Sequence, residues 1–305
     1  MQKINSFIEH MSTEDFIKFN KIQLLKLCDD CVKFIINLNR KWESENRINN
    51  ITESKAIKQC LLQMASVKAK SILQNSDGIL LIGNAHILDI SSLFAILRSM
   101  YELFFIFHNI YITQENENER EIILSIWEIR GLNNRQYTPM INDKYNDQKE
   151  NEKKDIDELK KKCRSILDKM NPTDKVKKEF EGILNSKSSD IKGYKFEKSN
   201  GTIIDIKDIR MSDGYKELSN FPNAHDLYKL TSSHIHPSYI SVLNFGQTYN
   251  DKTDKEQLST ILTCTYFLLS NMVYDFCTSS DEAHNLFLEI DPDTLNNIES
   301  ILKNQ

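Results

Sequence analysis

The chain has 305 residues, of which 40% are hydrophobic and 27% charged, with only 8 glycines and 5 prolines. That balance belongs to a globular protein with ample core material, and the scarcity of turn residues argues against turn-rich β architectures. A net charge of −5 excludes any global attraction to nucleic acid or anionic membrane, so such a contact would need a local patch.

Residues 1–20 are mixed polar and acidic, without the basic and apolar regions of a secretory signal. The expectation is a cytoplasmic protein whose six cysteines stay reduced. From Glu14 to Trp42 the residues Phe16, Phe19, Ile22, Leu24, Leu27, Cys31, Phe34, Ile35 and Leu38 recur at steps of three and four, which predicts a long amphipathic helix. Cys28 and Cys31 form a C-x-x-C on that helix with no second pair, a spacing read as core filling rather than a metal or redox site. Thr52 is a candidate cap for a second helix that ends at Asp77 and Gly78.

A third helix, about Asn84 to Thr113, is apolar on nearly every side, as a helix at the centre of a bundle would be. Its length suits a membrane span. Asp89, Arg98, Glu102 and His108 interrupt it, and hydrocarbon would have to hold all four, so a buried core helix and no membrane association are expected. A fourth helix covers about Glu117 to Arg135. Asn146 to Met170 is densely charged, with one narrow stripe of Ile156, Leu159, Cys163, Ile166 and Met170 whose spacing suits a helix touching one partner along a seam. Between Lys153 and Lys178 ten Lys or Arg face five Asp or Glu, a local excess of five positive charges. The stretch reads either as a solvated helical arm or as an arm for an anion or a partner protein.

Pro172 precedes a short helix to about Asn185. Residues 193–206 carry Asn200 and Gly201 between two β-prone runs, where a small hairpin or an irregular excursion would fit. The chain turns helical again from Ala224 to Ile235 and stops before Pro237. Asp254 is a candidate cap for a last long helix, Leu258 to Phe276, and a tail helix follows Pro292. The expected architecture is all-α: a multi-helix bundle with a central apolar helix, a charged helical arm and at most one small β-hairpin. It would form one domain over 1–305, with its core in about 14–135 and 224–280 and the arm and insertion in about 146–213.

Two stretches carry groups suited to chemistry. Arg98 and Glu102 are i and i+4 and share one face of the apolar helix, where two charges are costly unless each finds a partner. Ser233, His234 and His236 lie far away in sequence. On one helix the two imidazoles would point about 200° apart, but Pro237 bends the chain and frees His236 to turn elsewhere, with Ser233 placed to orient it. A fixed cation, a carboxylate and an imidazole are what a phosphate-handling enzyme gathers. The same three groups also suit a structural polar cluster. No H-x-x-x-H, H-E-x-x-H or Gly-rich phosphate loop is present, so neither a metal nor a cofactor is expected.

The Arg98 to Glu102 motif in its apolar helix, with Tyr228, Ser233, His236, Pro237 and Ser238 followed by a long apolar helix, resembles the signature of the bacterial and archaeal domain of unknown function 5677. The resemblance covers roughly residues 51–279. It implies an all-helical fold and no established reaction. The chain is also similar to the HEPN superfamily of small helical dimers, many of them ribonucleases of toxin and phage-defence systems. Those enzymes pair Arg and His as R-x4–6-H on one helix, whereas Arg98 and His108 are spaced R-x9-H, so here the Arg and His must come from different helices.

Two readings follow. In the first, a hydrolase or ribonuclease acts on a phosphate-containing substrate such as RNA in a bacterial defence or toxin setting. Arg98 holds the phosphate, His236 is the general acid or base, Glu102 orients one of them, and Ser233, His234 and Tyr228 complete the catalytic set. In the second, the protein is a non-catalytic interaction or ligand-sensing protein with a structural Arg–Glu–His cluster. A homodimer is expected, with the 156–166 seam as its candidate interface.

Overall fold

The computed structural model describes residues 12–45, 51–80, 86–137, 146–186, 192–211, 224–235, 239–247, 251–294 and 296. Helix α1 (Thr13–Ser44) starts where the Ser12 hydroxyl accepts the Asp15 N–H, and α2 (Glu53–Asn75) where the Thr52 hydroxyl accepts the Lys55 N–H. Both are side-chain caps that satisfy orphan donors of the first turn. Two-residue strands β1 (Ile79–Leu80) and β2 (His86–Ile87) then pair antiparallel. Gly78 enters them at φ +86°, where a Cβ would meet the Ile87 carbonyl at 3.2 Å.

The apolar helix, α3 (Ile90–Tyr111), begins later than its composition suggests. Asp89 accepts the Ser92 N–H at 3.0 Å and also the Ser92 hydroxyl, so the cap sits at Asp89; the expected start, Asn84, lies outside the described residues. Helices α4 (Glu117–Tyr137), α5 (Asn146–Lys169) and α6 (Asp174–Leu184) follow, then strands β3 (Lys192–Ser199) and β4 (Thr202–Arg210). Beyond them come α7 (Ala224–Ile235), α8 (Tyr239–Gln247), α9 (Asp251–Thr278) and α10 (Asp281–Ile290). The protein is all-α. Helices α8 and α10 are additions to the expected set, α10 capped by Ser280. Helix α9 starts before the anticipated cap, which leaves Asp254 inside its first turn, where the helix dipole favours a carboxylate. Of the expected tail helix, residues 292–294 are helical and most of the remainder lies outside the described residues.

The chain divides into two compact units, one of residues 1–107 with 218–305 and one of residues 108–217. In the first, α1 packs against α2, α9 and α10. The Phe34 ring meets Phe276 edge-on at 5.4 Å and Phe287 at 5.5 Å, and Leu24, Leu62, Ile72 and Leu262 are fully buried around them. Cys28 and Cys31 are buried free thiols within this packing. Burial pushes the Cys28 thiol up to about 12, which leaves it protonated and unreactive. Helix α3 is, by length and composition, apolar enough to cross a membrane, and 56% of its most apolar 18-residue stretch is buried inside the protein.

The second unit has a core of its own. Helix α5 lies along α4, and its stripe residues Ile156, Cys163 and Ile166 are buried there. The seam expected between two copies is therefore spent within one chain, because α4 supplies the apolar partner that so narrow a stripe requires. Five of the arm's ten cations are paired within the chain. Lys153 pairs with Glu150, Lys162 with Glu121, Arg164 with Glu181, Lys175 with Asp205 and Lys177 with Asp168.

Residues 193–206 form the hairpin, extended to 192–210, with Ser199 paired to Thr202 across a two-residue turn. Asn200 at φ 50° and Gly201 at φ 77° supply the positive dihedrals of a type I′ turn. The Asn109 side chain acts as a further strand partner: it donates to the Tyr194 carbonyl at 3.1 Å and accepts the Tyr194 N–H at 3.2 Å. A Cβ on Gly201 would touch nothing within 4 Å, so the cost of replacing it is purely one of backbone conformation. Gly201→Ala is expected to lower the opening free energy of the β3–β4 amides by about 1 kcal/mol, read by hydrogen exchange, with α1 amides unchanged. Unaltered hairpin exchange would contradict the turn assignment.

Candidate functional site

Helix α3 carries Phe94, Arg98, Tyr101 and Glu102 at spacings of four, seven and eight from the first, so they line one face. Helix α7 presents two lines of residues. Leu227, Thr231 and His234 are buried, Tyr228 and Ser232 are half-buried, and Lys229, Leu230 and Ser233 face solvent. This segregation follows from steps of three and four on a 12-residue helix.

The two helices meet at Arg98. Its Nε donates to Glu102 Oε1 at 2.8 Å, and its Nη1 donates to the Ser232 hydroxyl at 2.7 Å and the Tyr228 carbonyl at 3.3 Å. The Tyr228 ring lies under the guanidinium at 3.6 Å from its centroid, close enough for a cation–π contact. The Ser232 hydroxyl in turn donates to the Tyr228 carbonyl at 2.7 Å, so one carbonyl receives both a hydroxyl and a guanidinium N–H. On one side Tyr101 meets Tyr228 edge-on at 6.1 Å, and on the other Phe94 stacks on His234 at 4.2 Å. Partner numbers rise along α3 as they fall along α7, so the two helices run antiparallel through this contact.

The structure brings Arg98, Glu102 and Tyr228 together and assigns other places to the remaining sequence candidates. Ser233 is exposed and donates to the Leu230 carbonyl of its own helix at 2.7 Å. The serine on Arg98 is Ser232, which sequence inspection passed over; its signal was the i, i+4 relation to Tyr228, which puts both on one face. His234 is packed in the core against Phe94 instead of facing Arg98. His236 lies outside the described residues. The Arg98 side chain is 12% exposed and that of Glu102 33%. Glu102 meets α7 only through Arg98 in the described contacts, and its carboxylate keeps an open side to solvent. Among the described residues no group of three or more His, Cys, Asp or Glu could hold a metal.

No family model, no curated protein and no solved structure matches this chain.

His234 is 6% exposed, and its Nδ1 is buried with no hydrogen-bond partner among the described residues. Burial therefore disfavours the imidazolium and holds the His234 pKa below the usual histidine value. The unfolded imidazole takes up its proton near pH 6.5 and the folded one only at lower pH. The stabilising contribution of neutral His234 is thus complete above about pH 6.5 and is lost as pH falls toward the folded pKa. Replacing it by Phe retains the stack on Phe94 and removes both the orphaned nitrogen and the titration. Between about pH 7.5 and 5.5 the wild-type melting temperature is expected to fall more steeply than that of His234→Phe. Parallel curves for the two proteins would mean that His234 titrates normally.

Proposed function

We propose that the protein is a HEPN-like hydrolase acting on a phosphate-containing substrate, RNA being the candidate, in a bacterial defence or toxin setting in the cytoplasm. One observation carries the reading. Tyr228, which belongs to the second of the two motifs that carry the family resemblance, and Ser232 beside that motif meet the Arg98 guanidinium from 130 and 134 residues away in sequence. Burying a cation in the apolar helix is costly, and a fixed, oriented guanidinium is suited to holding phosphate oxygens bidentately. Glu102 is half-exposed beside it and marks the side from which an anion can approach.

In this mechanism a phosphate oxygen replaces Glu102 on Arg98, which then stabilises the charge that builds on the phosphoryl oxygens. His236, one residue beyond the end of α7, takes the proton of the attacking hydroxyl as the new P–O bond forms. It returns a proton to the leaving oxygen as the old P–O bond breaks. Tyr228 and Ser232 position Arg98; they do not touch the reacting atoms.

A second reading is favoured by a specific observation. Arg98 bridges Glu102 of its own helix to Ser232 and Tyr228 of α7, and His234 is stacked within the core. This is the pattern of a structural cluster in a non-catalytic interaction or ligand-sensing protein. The two readings separate on His236→Ala. The hydrolase reading expects RNA cleavage to fall by at least about 100-fold, with the melting temperature unchanged. A wild-type protein inert on single-stranded, structured and transfer RNA, or a His236→Ala protein as active as wild type, would leave the second reading.

A further inference from the structure

Helix α10 lies along α1 in the opposite direction. Glu282 pairs with Lys41, Phe287 packs on Phe34, and Asp291, at the end of α10, pairs with Lys26. Beside this last contact two carboxyls are buried together. Asp30 of α1 is 3% exposed and Asp291 8%, and their side chains are hydrogen-bonding neighbours. Their other partners differ. Asp291 Oδ1 accepts the Thr294 N–H at 3.0 Å and its Oδ2 the Thr294 hydroxyl at 2.6 Å, in addition to Lys26. That capping arrangement starts the helical turn at 292–294. Asp30 Oδ1 accepts from Lys33 Nζ at 3.3 Å, whereas its Oδ2 is buried with no hydrogen-bond partner among the described residues.

An ionised carboxyl only accepts hydrogen bonds, so two ionised carboxyls side by side oppose each other. One proton removes the conflict. It makes the orphaned Oδ2 of Asp30 a donor to Asp291, in a charge-assisted bond stronger than a neutral one. Asp291 stays ionised because Lys26 and Thr294 already donate to it. We propose that Asp30 and Asp291 hold this single proton between them and form a pH-operated latch that fixes the end of α10 on α1. Lys33 and Lys26 face the pair from α1, Asp293 beyond α10 faces Lys26, and Tyr266 of α9 lies toward Lys26 and Asp291. Lys70 of α2 is engaged by Asp29. Burial pushes the Asp30 carboxyl above its ordinary value, with Lys33 opposing the rise and Asp291 adding to it. Burial acts on Asp291 in the same sense, but Lys26 and Thr294 hold that carboxyl below its ordinary value. The contribution of Asp30 is therefore complete below the ordinary aspartate value of about 3.9 and is lost as pH rises through its folded value. That of Asp291 is complete above about 3.9 and is lost as pH falls through its own folded value. The latch is closed between the two folded values and releases above the higher one. The inference is independent of the hydrolase reading and stands whether or not the Arg98 cluster is catalytic.

Carboxyl-carbon NMR titration of the full chain, with both signals assigned through the backbone, tests the shared proton. The Asp30 midpoint is expected above the ordinary aspartate value of about 3.9 and the Asp291 midpoint below it. Asp291→Asn keeps a good helix cap but offers Asp30 an amide donor in place of a carboxylate, so the Asp30 midpoint should fall in that protein. Hydrogen exchange reads the latch itself. In the wild type the opening free energy of the α10 amides should decrease as pH rises through the Asp30 midpoint. In Asp30→Asn, whose side-chain amide donates to Asp291 at every pH, it should stay level. An Asp30 midpoint at or below about 3.9 would overturn the proposal, and so would one that does not move in Asp291→Asn. Equal pH dependence of α10 opening in the wild type and Asp30→Asn would overturn it as well. If either variant fails to fold, the wild-type titration and the wild-type exchange profile still decide between these outcomes.

Discussion

The desolvation of one guanidinium constrains the first unit. Arg98 lies in a helix whose neighbouring positions Leu97, Met100 and Tyr101 are fully buried, and a charge there is tolerated only if acceptors are brought to it. Glu102 supplies the counter-charge from the same helix, one turn on. The hydroxyl, carbonyl and ring come from α7, where Tyr228 and Ser232 repeat the same i, i+4 geometry. With acceptors fixed on one face of each helix, the sliding of α7 along α3 is restricted to a single register. The stacked Phe94–His234 pair and the Tyr101–Tyr228 pair then fall on either side of Arg98. In this arrangement polar pairing specifies the register while apolar packing supplies most of the stabilisation.

The same constraint frames the chemistry. A guanidinium already matched by a carboxylate has no net charge to offer a substrate until that carboxylate is displaced. Among the described residues Glu102, at 33% side-chain exposure, meets α7 only through Arg98, which makes it the most exposed charged member of the cluster. Ser232 and Tyr228 are fixed by their own helix. In the proposed hydrolase reading, a phosphate oxygen would enter in place of Glu102, and the energetic cost of that exchange decides between the two readings.

The helices were legible where apolar residues recur at three and four and, for α2, where the Thr52 cap precedes them; the structure adds Ser12 and Thr173 as caps of α1 and α6. Composition misplaced the start of α3, because the apolar character runs on through residues before Asp89 while the backbone is held by the Asp89 cap. The α5 stripe announced a single helical partner without saying whose helix; only tertiary contacts assign it to α4. At the site, Arg98 and Glu102 were legible because charges in an apolar helix are conspicuous. Ser232 was hidden by the nearer attraction of Ser233 to the histidines. His234 was read as a reacting group, but its three- and four-residue relation to Thr231 and Leu227 puts it on the buried face of α7.

The central claim is that Arg98 and Ser232 are energetically coupled across α3 and α7. A double-mutant cycle with Arg98→Ala, Ser232→Ala and the double variant, followed by urea denaturation, tests it most directly. The structure predicts a coupling energy of about 1–2 kcal/mol, the range of a hydrogen bond to a charged group. Two single effects that add within about 0.3 kcal/mol would contradict it and detach the α7 segment from Arg98.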